Sequence, residues 1–326
     1  MFDPKLTNVI NPQGEDVFNI RRSLSSARML VHGGVSLLVL LSFGIAIHVF
    51  ETPTPITAAQ TVVDGRVQGG ALVIAGGGYV TPEIRQRFFE LAGGTNARIV
   101  VIPAIEPAPG TEDTWLAPWR KVGATHVELC NAHDRATANS AEFCSALNQA
   151  TGVWFSGGYQ DFLADRYVDT AVQQSLHEVL QRNGVVGGCS AGAAILSRVM
   201  IQEGENLPIE ARGLDLIPNA VVDQHFLQRN RLWRMQQMLE THPHLVGLGI
   251  DENTALIYEI RSERLSVLGE SYALVCVPPS TTHSARTEVL HAGDNVLLNQ
   301  LRQKHLAYQP SAPAGQQPQK VALHSA

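Results

Sequence analysis

The sequence predicts an α/β protein built on a doubly wound, mostly parallel sheet with antiparallel edge strands. Three observations carry that prediction. Short, continuously apolar runs rich in β-branched residues alternate with segments of helical spacing, as in a sheet covered on both faces. The early runs end in turns that bear glycine or proline. The late runs follow one another too closely for intervening helices. With 326 residues, 44% of them hydrophobic and 17% charged, the chain is neither disordered, nor collagen-like, nor a small disulfide scaffold.

The N-terminus departs from this plan. Residues 1–29 read as a cytoplasmic or n-region and residues 30–50 as a membrane span or signal segment, because Leu30 to Phe50 contains no charged residue. Arg21, Arg22 and Arg28 precede that run, and the next basic residue is Arg66, so the remainder is expected outside the cytoplasm, periplasmic or extracellular. Anchoring and cleavage stay open. Thr57-Ala58-Ala59 offers small residues for cleavage, but the apolar run exceeds an ordinary signal core. Met29 offers a second start. Residues 51–68, with Pro53 and Pro55, form a linker. Residues 69–307 form one domain, and residues 308–326 are a Pro/Gln/Ala-rich tail expected to be disordered.

Within the domain, ALVIA from Ala71 leads into Gly76-Gly77-Gly78, and PEIRQRFFELAG has helical spacing. A dinucleotide fingerprint starting at Gly76 would need glycine at Thr81, so the glycines read as a tight turn permitting close backbone approach. RIVVI (Arg98–Ile102), HVELC, GVWFSGG and GVVGGCSAG continue the strand series. ALIYEI, RLSVLG and YALVCV read as antiparallel additions at the edge. Active sites in such sheets collect at the carboxyl ends of the strands.

Net charge is −6 and the pI near 6.0, which gives no basic footprint for nucleic acid. The four cysteines have no CxxC spacing and the twelve histidines no HExxH, so no metal is implied. Gly188-Cys189-Ser190-Ala191-Gly192 is a different matter. A nucleophile between small residues at a strand-to-helix junction predicts an elbow with the Ser190 hydroxyl at its apex. A helix N-terminus there favours developing negative charge. Cys189 competes as the better intrinsic nucleophile, but the elbow register turns it toward the sheet. His225 follows the strand-like AVVDQ and is the candidate base. Arg229, Arg231 and Arg234 come directly after it, and guanidinium forks suit carboxylates.

GGG after the first strand, FSGGYQ (Phe155–Gln160), GCSAGA, DQHF-x-x-R-x-R-x-x-R and GLGIDENTA (Gly247–Ala255) occur in the order seen in cyanophycinases, which the chain resembles from Ala71 to Asn299. These are serine exopeptidases of the aspartyl-dipeptidase-like, S51-type group, with a fold similar to class I glutamine amidotransferases. The resemblance implies Ser190 as nucleophile, His225 as general base, and Gly158 and Ala191 as oxyanion-hole donors. It implies Gln160, Asp223, Gln224, Arg229, Arg231 and Arg234 as substrate-binding residues. Glu252 is the favoured third catalytic member and Glu205 the rival, with Glu203 nearby. The implied substrate is cyanophycin, a poly-aspartate with arginine on each β-carboxyl, or another β-aspartyl peptide; no cofactor is implied. Two departures stand out: Cys189 replaces an expected threonine, and Tyr159 stands where an acidic or amide residue is common.

Alternatives are an Asp-X or isoaspartyl dipeptidase, a cysteine-using amidotransferase relative, and a catalytically silent exported binding protein. The oligomeric state, a homodimer included, is not written in the sequence.

Overall fold

The computed structural model describes residues 70–205, 207–279 and 284–301. The predicted membrane or signal segment, the linker and the C-terminal tail lie outside them. No helix among the described residues is long and apolar enough to cross a membrane.

The elements run β1 (Ala71–Ala75), α1 (Pro82–Leu91), β2 (Arg98–Ala104), α2 (Glu112–Lys121), β3 (His126–Leu129), α3 (Arg135–Ala138), α4 (Ala141–Gln149) and β4 (Gly152–Gly158). They continue with α5 (Gln160–Tyr167), α6 (Ala171–Gln181), β5 (Val185–Cys189), α7 (Ala191–Ala194), β6 (Val199–Glu203), β7 (Ile209–Arg212), β8 (Ala220–Gln224) and α8 (Leu232–Thr241). The last are β9 (Val246–Ile250), β10 (Thr254–Glu259), β11 (Arg264–Gly269), β12 (Tyr272–Val277), β13 (Arg286–His291) and β14 (Asn295–Leu297).

Helix starts follow local chemistry. The Thr81 hydroxyl accepts from the Ile84 N–H at 3.3 Å, with Pro82 next in line, where its missing N–H costs nothing. Ser140 caps α4 in the same way, accepting from Phe143 N–H at 3.2 Å.

The main sheet has the order β14-β11-β10-β1-β5-β4-β2-β3. Its β1, β5, β4, β2 and β3 are parallel, while β10, β11 and β14 extend it antiparallel beyond β1. Both faces are buried. Leu72 and Ile74 pack into one core and Ala71, Val73 and Ala75 into the other, the period-2 alternation of a sheet between two helical layers. Phe88, Trp119 and Trp154 meet with ring centroids 5.0–5.1 Å apart on one face. On the other, Phe155 packs on Tyr167, whose hydroxyl accepts from the Ala132 N–H at 3.0 Å.

YALVCV corrects the expectation of a single sheet. It forms β12 of a second sheet, β13-β12-β9-β8, in which β8 and β9 are parallel and the rest antiparallel. The reason is β9: VGLGI pairs with YALVCV, so the chain must leave the main sheet before Tyr272. The helix that follows the elbow is short. It stops after Ala194, and Val199–Glu203 pairs with Ile209–Arg212 as a hairpin.

Candidate active site

Strand β5 delivers Ser190 at the carboxyl edge of the main sheet, between β1 and β4. Ser190 has φ 54° and ψ −112°, a region costly for a residue with a side chain. Its N–H donates to the Ala75 carbonyl at 3.0 Å, which ties the turn to β1. Small neighbours are a steric necessity: a Cβ on Gly188 would lie 2.2 Å from the Gly192 carbonyl oxygen, and one on Gly192 would lie 2.3 Å from that of Phe155. With only four residues, α7 adds little macrodipole. Its contribution is local, because the first N–H groups of a helix, Ala191's included, have no carbonyl within it. Gly158 ends β4 on the other side and is exposed.

The second sheet delivers the base. His225 follows β8 directly, with φ 48°, and its N–H donates to the Gly76 carbonyl at 2.6 Å. The imidazole lies against Gly77, where a Cβ would sit 2.3 Å from the ring. The glycine turn is therefore the bed of the histidine. His225 Nε2 is 2.8 Å from Ser190 Oγ, and its Nδ1 is 2.5 Å from Glu252 Oε1. Burial pushes the His225 pKa below its ordinary value, helped by the Arg229 and Arg231 charges, while Glu252 opposes the shift. A neutral imidazole paired to Glu252 through Nδ1–H leaves Nε2 free to accept the serine proton.

Of the two acids weighed for the Nδ1 side, Glu252 occupies it. Glu205 is exposed on the β6–β7 hairpin, as is Glu203 at the end of β6, and neither is hydrogen-bonded to His225. Cys189 is buried in the core between β5 and α1, and burial pushes its thiol up to about 11.

The arginines divide. Arg229 is exposed, with no side-chain partner among the described residues. Arg231 donates through one nitrogen to Asp223 Oδ1 at 3.2 Å, the Gln224 carbonyl at 2.5 Å and Gln224 Oε1 at 2.8 Å. Burial lowers its pKa to about 10, against the pull of Asp223.

Arg234, 3% exposed, donates to both Asp223 oxygens, through Nε to Oδ2 at 2.7 Å, and to the Gly204 carbonyl. Asp223 is 1% exposed. This corrects the expectation of Arg234 as a substrate fork and Asp223 as an acid facing substrate: each is already consumed by the other. Gln224, also buried, holds Oε1 3.5 Å from Ser190 Oγ. The Gln160 amide donates to the Ile201 carbonyl at 2.5 Å, tying α5 to β6.

Two residues beside Glu252 hold the same centre together. The Asp251 carboxylate accepts from the Leu227 and Gln228 N–H groups and from the Ser271 hydroxyl, clamping the loop beyond His225. Asn253 accepts from the Tyr79 N–H and donates its own N–H to the Gly77 carbonyl, clamping the glycine turn. Their signal in the sequence was three consecutive polar residues at a strand end.

The model of peptidase family S51 matches residues 71–265, a stretch containing Ser190, His225 and Glu252. The cyanophycinase of Geminocystis herdmanii is 31% identical over 229 residues, 68% of this chain and 84% of that protein. That of Trichormus variabilis is 32% identical over 235 residues, 69% and 78% of the two chains. That of Synechococcus elongatus is 32% identical over 248 residues, 68% and 77%. The crystal structure of a peptidase from an acI-B1 Actinobacterium shares the fold, with a TM-score of 0.56 and 24% identity over 71% of this chain and 97% of that one. The chain belongs to peptidase family S51, as a serine-type peptidase related to the cyanophycinases.

Proposed function

We propose that this protein is an exported serine exopeptidase that hydrolyses cyanophycin to β-aspartyl-arginine dipeptides. The observation that carries the chemistry is the hydrogen-bonded run Ser190–His225–Glu252, at 2.8 and 2.5 Å, mounted on a strained elbow. His225 takes the Ser190 proton as Oγ attacks the scissile carbonyl, and Glu252 holds the resulting imidazolium. The N–H groups of Gly158 and Ala191 receive the oxyanion. His225 then protonates the leaving amine, and water, deprotonated by His225, resolves the acyl-enzyme.

The substrate reading draws on the curated relatives, each named cyanophycinase. Exposed Arg229, near His225, suits a carboxylate-rich chain. One observation favours a narrower alternative: with Arg234 occupied by Asp223, fewer cations remain for a polymer, and an isoaspartyl dipeptidase needs fewer. Purified protein incubated with insoluble cyanophycin decides. Release of β-aspartyl-arginine supports the polymer reading, whereas cleavage of isoaspartyl dipeptides alone supports the narrower one. The export part rests on uncharged residues 30–50 behind one-sided arginines. A reporter fused after Gln68 and active only in the cytoplasm would sink it.

A further inference from the structure

Strand β5, which carries Ser190, lies between β1 and β4. At the carboxyl end of each of those neighbours the chain makes a glycine turn and then presents a tyrosine: Tyr79 after Gly78, Tyr159 after Gly158. Tyr79 is 58% exposed and Tyr159 67%. Large side chains so exposed contribute little to a core, and here two of them flank the nucleophile's strand. Adjacent strands are about 4.8 Å apart, so β1 and β4 lie on either side of the strand that carries Ser190, roughly 10 Å from one another.

The two differ in what they hold. The Tyr79 ring carries the Arg85 guanidinium, with Cζ 5.2 Å from the ring centroid. The Tyr159 ring carries no cation among the described residues. Its backbone is nevertheless fixed: the Tyr159 N–H donates to the Ala104 carbonyl at 2.9 Å, and α5 begins at the next residue. It is also close to the chemistry. A Cβ at Gly157 would lie 3.6 Å from the Ser190 Cβ, and Tyr159 is only two residues farther along. Asp161, exposed in the first turn of α5, adds negative charge to the same lip.

We propose that the open face of Tyr159 is a stacking subsite for a guanidinium group of the substrate. The proposal rests on the β-aspartyl-arginine reading above. In such a substrate each arginine branches from a β-carboxyl, so its guanidinium reaches a full side-chain length from the scissile bond. A planar guanidinium stacks on a phenol face and a compact ammonium does so less well, so the subsite selects arginine over lysine. Tyr159 is then a specificity determinant separate from nucleophile, base and oxyanion donors.

The test is steady-state kinetics on synthetic β-aspartyl-arginine peptides and their β-aspartyl-lysine counterparts. Wild type, Tyr159→Ala and Tyr159→Phe are compared, with melting temperatures recorded. Tyr159→Ala should raise KM for the arginine peptide about two- to thirty-fold, leave kcat within about twofold, and move KM for the lysine peptide less. Tyr159→Phe, which keeps the ring face, should retain the wild-type KM and the preference for arginine. An unchanged KM in Tyr159→Ala, an equal rise for both peptides, or a collapsed melting temperature overturns the subsite while the wild type still cleaves. A wild type that reacts with a serine-directed probe yet cuts no arginine peptide overturns the substrate reading, and the subsite with it.

Discussion

The two walls of the catalytic cleft are built by different means. On the main-sheet side, Ser190 is placed by backbone sterics: a left-handed residue, glycines where a Cβ would collide, and a hydrogen bond from its N–H to β1. On the second-sheet side, the strand that delivers His225 is held by charge, with Asp223 gripped by Arg234 and Arg231 beneath the end of β8. The first wall tolerates no added volume. The second tolerates no unbalanced charge. A site assembled from both can fail in two separable ways, and substitutions on each wall should reveal which.

Ser190→Ala should produce the largest loss, about 10⁴–10⁶-fold in kcat with the melting curve unchanged, because the nucleophile goes and the packing stays. A variant retaining a tenth of the activity would remove Ser190 from the chemistry. Next comes the charged wall. Arg234→Met leaves Asp223 buried with only the more distant Arg231, and about 3–5 kcal/mol of stability should disappear in denaturant titration. Pairing it with Asp223→Leu should recover much of that loss. No recovery would mean that the ion pair is not what holds β8.

On the steric wall, Gly77→Ala pushes a methyl group into the imidazole. Rotation of the ring away from Ser190 should cost about a hundredfold in kcat, and placing a side chain at φ 116° should cost about 1–2 kcal/mol of stability, less than Arg234→Met. Equal losses of stability in Gly77→Ala and Arg234→Met would erase the contrast between the walls.

The pH profile probes the join. Burial lowers the His225 pKa, so the neutral base form persists below the ordinary histidine value, and the acid limb of kcat/KM should fall below about 6.5. Glu252→Gln removes the carboxylate that favours the protonated ring, so the limb should move further toward acid as the rate drops. A limb moving toward neutral pH would show that Glu252 does not face the imidazole in solution. The smallest effect belongs to Cys189→Ala. Its thiol is protonated and packed in the core on the α1 face, so most activity should remain, at a stability cost of about 1 kcal/mol. A dead variant would hand the nucleophile's role to the cysteine.

Much of the steric wall could be read in the sequence. Gly188 and Gly192 around Ser190, and three glycines after β1, are local signals whose meaning does not depend on distant residues. The parallel strands of the main sheet were legible for the same reason, each apolar run being bounded by its own turn. The charged wall was not. Arginines at 229, 231 and 234 look alike on paper, and nothing local says that α8 turns Arg234 under β8 while Arg229 stays in water. The second sheet is hidden in the sequence because YALVCV has the apolar pattern of an edge strand of either sheet, and its partner β9, VGLGI, carries alternating glycines that weaken a strand signal. The GIDENTA motif favours Glu252 over Glu205 in the sequence; that it lies 2.5 Å from Nδ1 is a fact of the fold.

Residues 251–253 make three successive grips: Asp251 on the loop beyond His225, Glu252 on the imidazole, Asn253 on the glycine turn. Three adjacent residues gripping the segments that follow two strands, β8 and β1, leave no room for a change in length. Inserting or deleting one residue there would shift every grip by one position, and all three partners would be released together. Natural or engineered variation at this tract is therefore confined to substitution. Loop grafting intended to alter substrate choice has to leave this tract intact.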